Sequence, residues 1–375
     1  YIILNMIISI ERESLIEPLK HMVGVSEKKQ TMPILGNVLF RGSGDSLLLV
    51  SSDLEVEIST EITHPVNTSV NTTMPAKKLL DILKSLPGTK PVEIEILETK
   101  AVIKSGKSKF TLATIPGTDF PYQPGTSSFT FKVAAEDFDR LISQTGFSMA
   151  AQDARHFLNG MFLETSSSNI TVVATDGHRL SMSSCETTNN TDQPISCIVP
   201  RKCITEIKRI LTTFKDNKEN LVDFIIQDKE IIMKIDEFVV KTKLIEGNYP
   251  DYNKVFPESL PNKLSVNKLD LKSALQRMSI LSNEQFKGVK LTLNKSDMIL
   301  STNNPSLEEG EDSIPCSYTG DPLDIGFNLS YLLEVIDVIS SDTIEIQLNN
   351  SDSGCLISSE DKSSRNKYII MPMRV

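Results

Sequence analysis

Paired cysteines, membrane-length apolar runs and an excess of basic charge are all missing from this sequence of 375 residues, and each absence removes a class of protein. The five cysteines, Cys185, Cys197, Cys203, Cys316 and Cys355, are odd in number and form no CxxC pair, which predicts reduced thiols in the cytoplasm rather than a disulfide scaffold. The apolar start, Tyr1 to Ile10, has no basic flank and is interrupted by Asn5 and Ser9, so it fits neither a signal peptide nor a membrane span. Residues Tyr1 to Asn5 read as an extension ahead of a start at Met6. The four histidines fall in no metal-ligand spacing, so no metal or cofactor is expected. Two strings imitate phosphate loops and lack the context. RGSGDS (Arg41 to Ser46) has no third glycine, and SGKS (Ser105 to Ser108) would need its first glycine where Ala101 stands; both read as hairpin turns. Finally, 39 Lys and Arg against 49 Asp and Glu give a net charge of −10, which excludes a protein that coats nucleic acid with its whole surface but leaves room for a locally basic face.

What the chain does contain is a threefold repeat. A short alternating strand followed by an amphipathic helix occurs from Met6, from Phe129 and from Asn262, with acidic residues in each first helical turn: Glu11 and Glu13, Glu136 and Asp137, and Asp270. Glycines stand just ahead of apolar strands at Gly36, Gly160 and Gly288. A second helix follows Pro75 and Pro200, with Asn328 as the N-cap of the third copy. Polar turns follow strands at Asp53, Asp176 and Asn303. All these landmarks recur at a spacing near one third of the chain. The sequence therefore divides into residues 1–128, 129–261 and 262–375, separated by Pro/Gly/Ser-rich linkers, and predicts an α+β fold of three similar domains, each with two helices and antiparallel sheets.

The charge is unevenly spread over this pattern. The six predicted helices together carry +3 and everything else −13, with Arg201, Lys202, Lys208 and Arg209 the densest basic stretch. If the helices share a surface, it would attract phosphates without reading bases. Solvated faces of unrelated helices explain the same count. The string TDGHR (Thr175 to Arg179) places an acid, a histidine and an arginine together, which invites acid/base chemistry, but a turn between strands whose Asp caps the Gly accounts for it better, because the equivalent Asp53 and Asn303 segments lack a histidine.

Several strings resemble the bacterial DNA sliding clamp family, the beta subunit of DNA polymerase III: TMPILGN (Thr31 to Asn37), FSMAAQDARHFLNGM (Phe147 to Met161), VATDGHRL (Val173 to Leu180), YPDYNKVFP (Tyr249 to Pro257), ILSNEQFKGVKL (Ile280 to Leu291) and the terminal YIIMPMRV (Tyr368 to Val375). The resemblance runs from Met6 to Val375. It implies a head-to-tail homodimer, a six-domain ring around duplex DNA with helices lining the hole, and a non-catalytic role in tethering polymerase. It also implies partners: the replicative polymerase, the clamp loader and other proteins that insert a short Gln- and Leu/Phe-containing peptide, with no membrane. The implied peptide pocket maps onto Leu158, Thr175, Gly177, His178, Arg179, Leu180, Pro250, Lys254, Val255, Cys355, Ile369, Ile370, Met371, Pro372, Met373 and Arg374, with Val375 beyond. His178 and Arg179 would hold polar atoms at its rim. The implied DNA contacts are Lys29, Gln152, His156, Phe157, Arg201 and Lys202. The implied ring closure sets Phe110 and Leu112 against Ile280 and Leu281, with Lys104, Lys107 and Lys109 facing Glu308, Glu309, Glu311 and Asp312. Lys29, His156, Phe157, Lys254 and Val375 depart from the commonest family pattern, mostly with charge or apolar character kept.

Two other readings remain open from the residues alone. One is an enzyme working through Asp176, His178 and Arg179 in a cleft. The other is a three-repeat protein scaffold with no DNA role.

Overall fold

The structure is a computed structural model, and it describes residues 6–26, 32–88, 90–123, 131–187, 194–214, 220–227, 229–257, 260–359 and 365–374. Tyr1 to Asn5, Lys29, Val375 and most of the first linker lie outside the described residues.

The first repeat contains β1 (Met6–Ile10), α1 (Arg12–Val25), β2 (Asn37–Ser52), β3 (Val56–Pro75), α2 (Ala76–Ser85), β4 (Val92–Ile96), β5 (Lys100–Ser105), β6 (Ser108–Ala113) and β7 (Ile115–Pro116). The second contains β8 (Phe131–Ala134), α3 (Ala135–Thr145), β9 (Gly160–Thr165), β10 (Asn169–Thr175), β11 (Arg179–Glu186), β12 (Ser196–Pro200), α4 (Arg201–Thr213), β13 (Leu221–Ile226), β14 (Glu230–Ile235) and β15 (Phe238–Lys243). The third contains β16 (Asn262–Asn267), α5 (Lys268–Ser279), β17 (Gly288–Leu293), β18 (Asp297–Asn303), β19 (Glu309–Pro315), β20 (Ser317–Tyr318), β21 (Leu323–Asn328), α6 (Leu329–Val338), β22 (Thr343–Leu348), β23 (Cys355–Ser359) and β24 (Lys367–Ile370). The α+β expectation, with two helices per repeat and antiparallel sheets, holds.

The local chemistry explains the elements. In α1, Leu15, Leu19, Met22 and Val25 recur at helical spacing and are buried together. Asn267 caps α5 by accepting from Leu269 N (2.9 Å) and Asp270 N (3.2 Å), and Asn328 caps α6 by accepting from Ser330 N (2.9 Å) and Tyr331 N (3.3 Å). Gly160 opens β9 where a Cβ would lie 2.6 Å from the Val199 carbonyl oxygen on β12. SGKS is the expected tight turn, with Ser105 opposite Ser108 and Gly106 at φ +60°. RGSGDS is not a turn. Strand β2 runs through it against β3, and its register slips at Gly42, Gly44 and Ser46, so the glycines make a bulge within one long strand.

Among the described residues the strands pair into four sheets, ordered β1-β4-β5-β6; β2-β3-β15-β14-β13-β8 with β7 also on β3; β12-β9-β10-β11-β24-β23-β22-β16-β20; and β19-β18-β17-β21. The chain forms two compact bodies, residues 1–138 with 202–244, and residues 139–201 with 245–375. Within each body, neighbouring repeats share one sheet. Cys185, Cys197, Cys203 and Cys355 are buried, and burial pushes the Cys197 and Cys355 thiols up to about 12. Among the described residues, no helix is long and apolar enough to cross a membrane.

Candidate partner and interface sites

The TDGHR segment is the turn between β10 and β11. The Asp176 carboxylate accepts from His178 N (2.9 Å) and Arg179 N (3.1 Å), the Thr175 hydroxyl accepts from Gly177 N (3.1 Å), and Gly177 takes φ +89°, which a glycine adopts without strain. Arg179 is only 8% exposed. Its guanidinium donates to Asp176 Oδ2 (3.1 Å), to the Phe147 carbonyl (2.6 Å) and to Glu334, and it stacks over the Tyr331 ring at 4.2 Å. A fully engaged arginine holds the second and third repeats together and is not free at a pocket rim, contrary to the expectation for it. The same bonds occupy Asp176, so this acid and this arginine form an internal pair rather than a poised acid/base couple. His178 is exposed beside them.

Around this turn the structure gathers much of the expected pocket. Leu180 on β11 and Ile369 on β24 lie in antiparallel register and pack with Val173 into a small apolar cluster, flanked by Phe162, Met182, Tyr249, Tyr252, Phe256 and Leu356. Tyr249 stacks on Phe162 at 4.7 Å, and the Tyr252 hydroxyl donates to Glu164 at 2.8 Å, which fixes the strap carrying Pro250, Lys254 and Val255. Val255 and Met371 are about two-fifths exposed, and Lys254 sits 3.3 Å from Asp251 in open solvent. Leu158 and Thr175 are buried. Cys355 and Ile370 do not reach this face: they alternate to the other side of the sheet, in the core of the third repeat. Beyond Met371, whose N donates to the His178 carbonyl (2.9 Å), the tail bonds through Met373 N to the Gly326 carbonyl (2.9 Å). Met373 and Arg374 then line a separate cavity of about 960 Å³ with Phe286, Lys290 and Leu307. The tyrosines of the strap were absent from the expected pocket; the signal for them was the aromatic pair inside YPDY.

The expected DNA contacts divide. Gln152, His156 and Phe157 share the loop before β9, and Arg201 ties to the base of that loop by donating to the Met149 carbonyl (2.7 Å). Gln152 and His156 are exposed. Asp153 in this loop is held down at about 2 by the Arg155 guanidinium beside it. Lys202, at the start of α4, is bonded to Asp53.

The expected interface residues occupy two strand edges. Phe110 and Leu112 lie on β6, the last strand of its sheet; Lys109 stands opposite Lys104, which is paired with Glu95 at 2.7 Å, and Lys107 is in the adjoining turn. Glu309 and Glu311 lie on β19, also a sheet edge, with Glu308 just before it and Asp312 held by Arg277 Nε at 2.7 Å. Ile280, 77% exposed, and half-buried Leu281 follow α5.

The chain matches the family DNA polymerase III beta subunit three times, as its N-terminal domain over residues 6–124, its central domain over 132–251 and its C-terminal domain over 253–374. The chain belongs to this family. It is similar to the beta sliding clamp of Pseudomonas aeruginosa, 38% identical over 98% of this chain and 99% of the relative, and to that of Escherichia coli K12, 36% identical over the same shares. Its fold is similar to the crystal structure of the DNA polymerase III subunit beta from Pseudomonas aeruginosa, with a TM-score of 0.93 over 99% of this chain and 100% of that one. A sliding clamp from Bartonella birtlesii, solved bound to griselimycin, matches with a TM-score of 0.93 at 31% identity over 99% of this chain and all of that one.

As a beta-subunit family member the chain has the three-domain sliding-clamp fold, and its repeats carry three versions of one turn. Asp53 accepts from Glu55 N (2.9 Å) and Val56 N (2.7 Å) just as Asp176 serves His178 and Arg179, with Leu54 at φ +75° where the second copy has Gly177. In the third copy the cap is Asn304, one residue past the Asn303 expected, accepting from Ser306 N (3.0 Å) and Glu308 N (3.2 Å), with Leu307 at φ +63°. No group of three or more metal-binding side chains occurs among the described residues.

Proposed function

We propose that two copies of this chain close head to tail into a ring that encircles duplex DNA, slides on it and tethers the replicative polymerase, without bond-making chemistry. The observation that carries this reading is a junction made twice. Strand β3 pairs with β15, setting Val56 opposite Thr242, and β11 pairs with β24, setting Arg179 opposite Ile370. In both, the strand after the capped turn of one repeat takes the final hairpin strand of the next. The same rule leaves β19 and β6 open at the two ends of the series. Unpaired edges are templates for pairing, and complementary ones on one chain make a heterologous contact that closes as a ring. With the register carried over, Leu112 of one protomer lies opposite Glu308 of its partner, and Phe110 opposite Gly310, whose open face borders Leu281, with Lys107 and Lys109 near the acidic edge. Ile280 and Leu281 lie beside it.

The domains of this ring are residues 1–128, 129–261 and 262–375. The Leu180–Ile369 cluster under the Tyr249–Val255 strap receives the peptide of polymerase, clamp loader and other partners, with His178, Met371 and Val255 at its accessible rim. Gln152, His156, Phe157, Arg201 and Lys202 contact phosphates without reading sequence.

The test is topological. Protein loaded onto nicked circular DNA is retained through gel filtration at high salt and released once the circle is cut open. Retention on linear DNA, or release from the intact circle, removes the ring. A scaffold with no DNA role would be retained by neither.

A further inference from the structure

The first compact body contains a second groove, of about 370 Å³, and its construction copies the Asp176 turn site strand for strand. Glu57 stands opposite Lys241 as Leu180 stands opposite Ile369. The Lys243 N–H donates to the Glu55 carbonyl (3.1 Å) as the Met371 N–H donates to the His178 carbonyl (2.9 Å). Phe120, Pro121 and Tyr122 line it where Tyr249 and Pro250 cross the other site. The backbone is the same, but the lining chemistry is inverted: Glu57 replaces Leu180, Lys241 replaces Ile369, and Glu55 and Lys243 replace His178 and Met371, with Glu230 alongside.

Two features show what such a lining would take. Glu57 is largely buried, Glu230 adds like charge near it, and its ion-pair partner, Lys241 Nζ, stands 3.6 Å away, so the pair is long. Burial and then Glu230 raise the Glu57 carboxyl above its ordinary range while Lys241 only partly opposes them, so a further cation beside this long pair is attracted by both carboxylates. Leu54, the residue at φ +75°, lines the same groove and is 43% exposed. Glycine in that place, as at Gly177, would relieve the backbone; leucine keeps an apolar side chain at the mouth at the expense of strain.

We infer that this groove is a second docking site, taking an extended partner segment that sets an arginine or lysine next to an apolar side chain. The cation meets Glu57 and Glu230, and the apolar group lies between Leu54 and Phe120. The inference rests on the Asp176 turn groove being a peptide site, since the two share one architecture; their lining chemistries give them different ligands.

Fluorescence polarisation on the full chain tests it with labelled Gly-Arg-Leu-Arg-Phe-Gly, the acidic counterpart Gly-Glu-Leu-Glu-Phe-Gly, and Gln-Leu-Ser-Leu-Phe as a separate probe. The basic peptide should bind saturably and the acidic one should not. Glu57→Gln should weaken binding about tenfold, the loss of one charge-assisted bond. Leu54→Gly should weaken it while the melting temperature holds or rises, which separates lost contact from lost fold. No saturable binding, indifference to both substitutions, or displacement by Gln-Leu-Ser-Leu-Phe would overturn the inference. Failure of Gln-Leu-Ser-Leu-Phe to bind while the basic peptide still responds to Glu57→Gln would overturn only the reading of the first groove.

Discussion

Single side chains in this protein act mostly by holding its repeats together. Arg179 joins the Asp176 turn to α6 through Glu334 and Tyr331, so Arg179→Ala is expected to destabilise by about 3–5 kcal/mol in denaturant titration, the usual result of breaking a buried ion pair. Glu334→Gln, with the arginine still held by Asp176, should cost less. His21 gives a pH signature. It packs edge-on to Phe238 at 5.0 Å and lies 3.3 Å from the Thr213 hydroxyl; burial lowers its pKa below 6.5, Glu17 opposes, and Arg209 and Lys20 reinforce the shift. A histidine whose folded value is depressed contributes fully above its unfolded value and loses that contribution as pH falls below it. The melting temperature should therefore drop as pH falls through 6.5, with a shallower slope in His21→Gln. The TDGHR turn was legible from sequence because its acid, glycine and spacing are local. The burial of Arg179 was not, because its partner Glu334 lies 155 positions away.

At the scale of elements, local rules predicted what they govern. Helix spacing, acidic first turns, Pro75 and Pro200 at helix starts and the Asn328 cap predicted the six helices found among the described residues, and Asn328→Ala should cost about 1 kcal/mol of stability in the body that contains α6. Gly160→Ala should cost about 1–3 kcal/mol, because its Cβ would press on the Val199 carbonyl and part β9 from β12. Thermal melts of both variants check these values. RGSGDS was misread because glycine marks a bulge and a turn alike, and only the partner strand distinguishes them; β3, long enough to pair on both sides of the slip, decides it. Cys355 and Ile370 were misplaced for a related reason. A list of neighbouring residues ignores the alternation of a strand, which sends Ile369 to the apolar cluster and Ile370 to the core.

For the whole molecule, repeats in sequence and bodies in space are different divisions. The second repeat gives β8 and β13–β15 to one sheet and β9–β12 to another, so its halves are completed by different neighbours. Calorimetry should accordingly resolve at most two transitions, never three, and a fragment of residues 129–261 alone should expose both unpaired edges and aggregate. The threefold period was visible in the sequence, whereas this division was not, since it depends on which edges meet. Duplex binding offers a second check: Lys202→Gln should lower the slope of log affinity against log salt by about 1 if the side chain exchanges Asp53 for a phosphate.

The burial of four of the five cysteines has a practical outcome. Thiolates are the reactive form, and burial encloses four thiols and raises those of Cys197 and Cys355 to about 12, while half-buried Cys316, itself raised by burial and Asp297, is the most accessible native position. Cysteines engineered at Leu112 and Glu308 would then react chiefly with each other across two protomers, and the oxidised product would be a covalently locked circle obtained without first stripping the chain of its own sulfur.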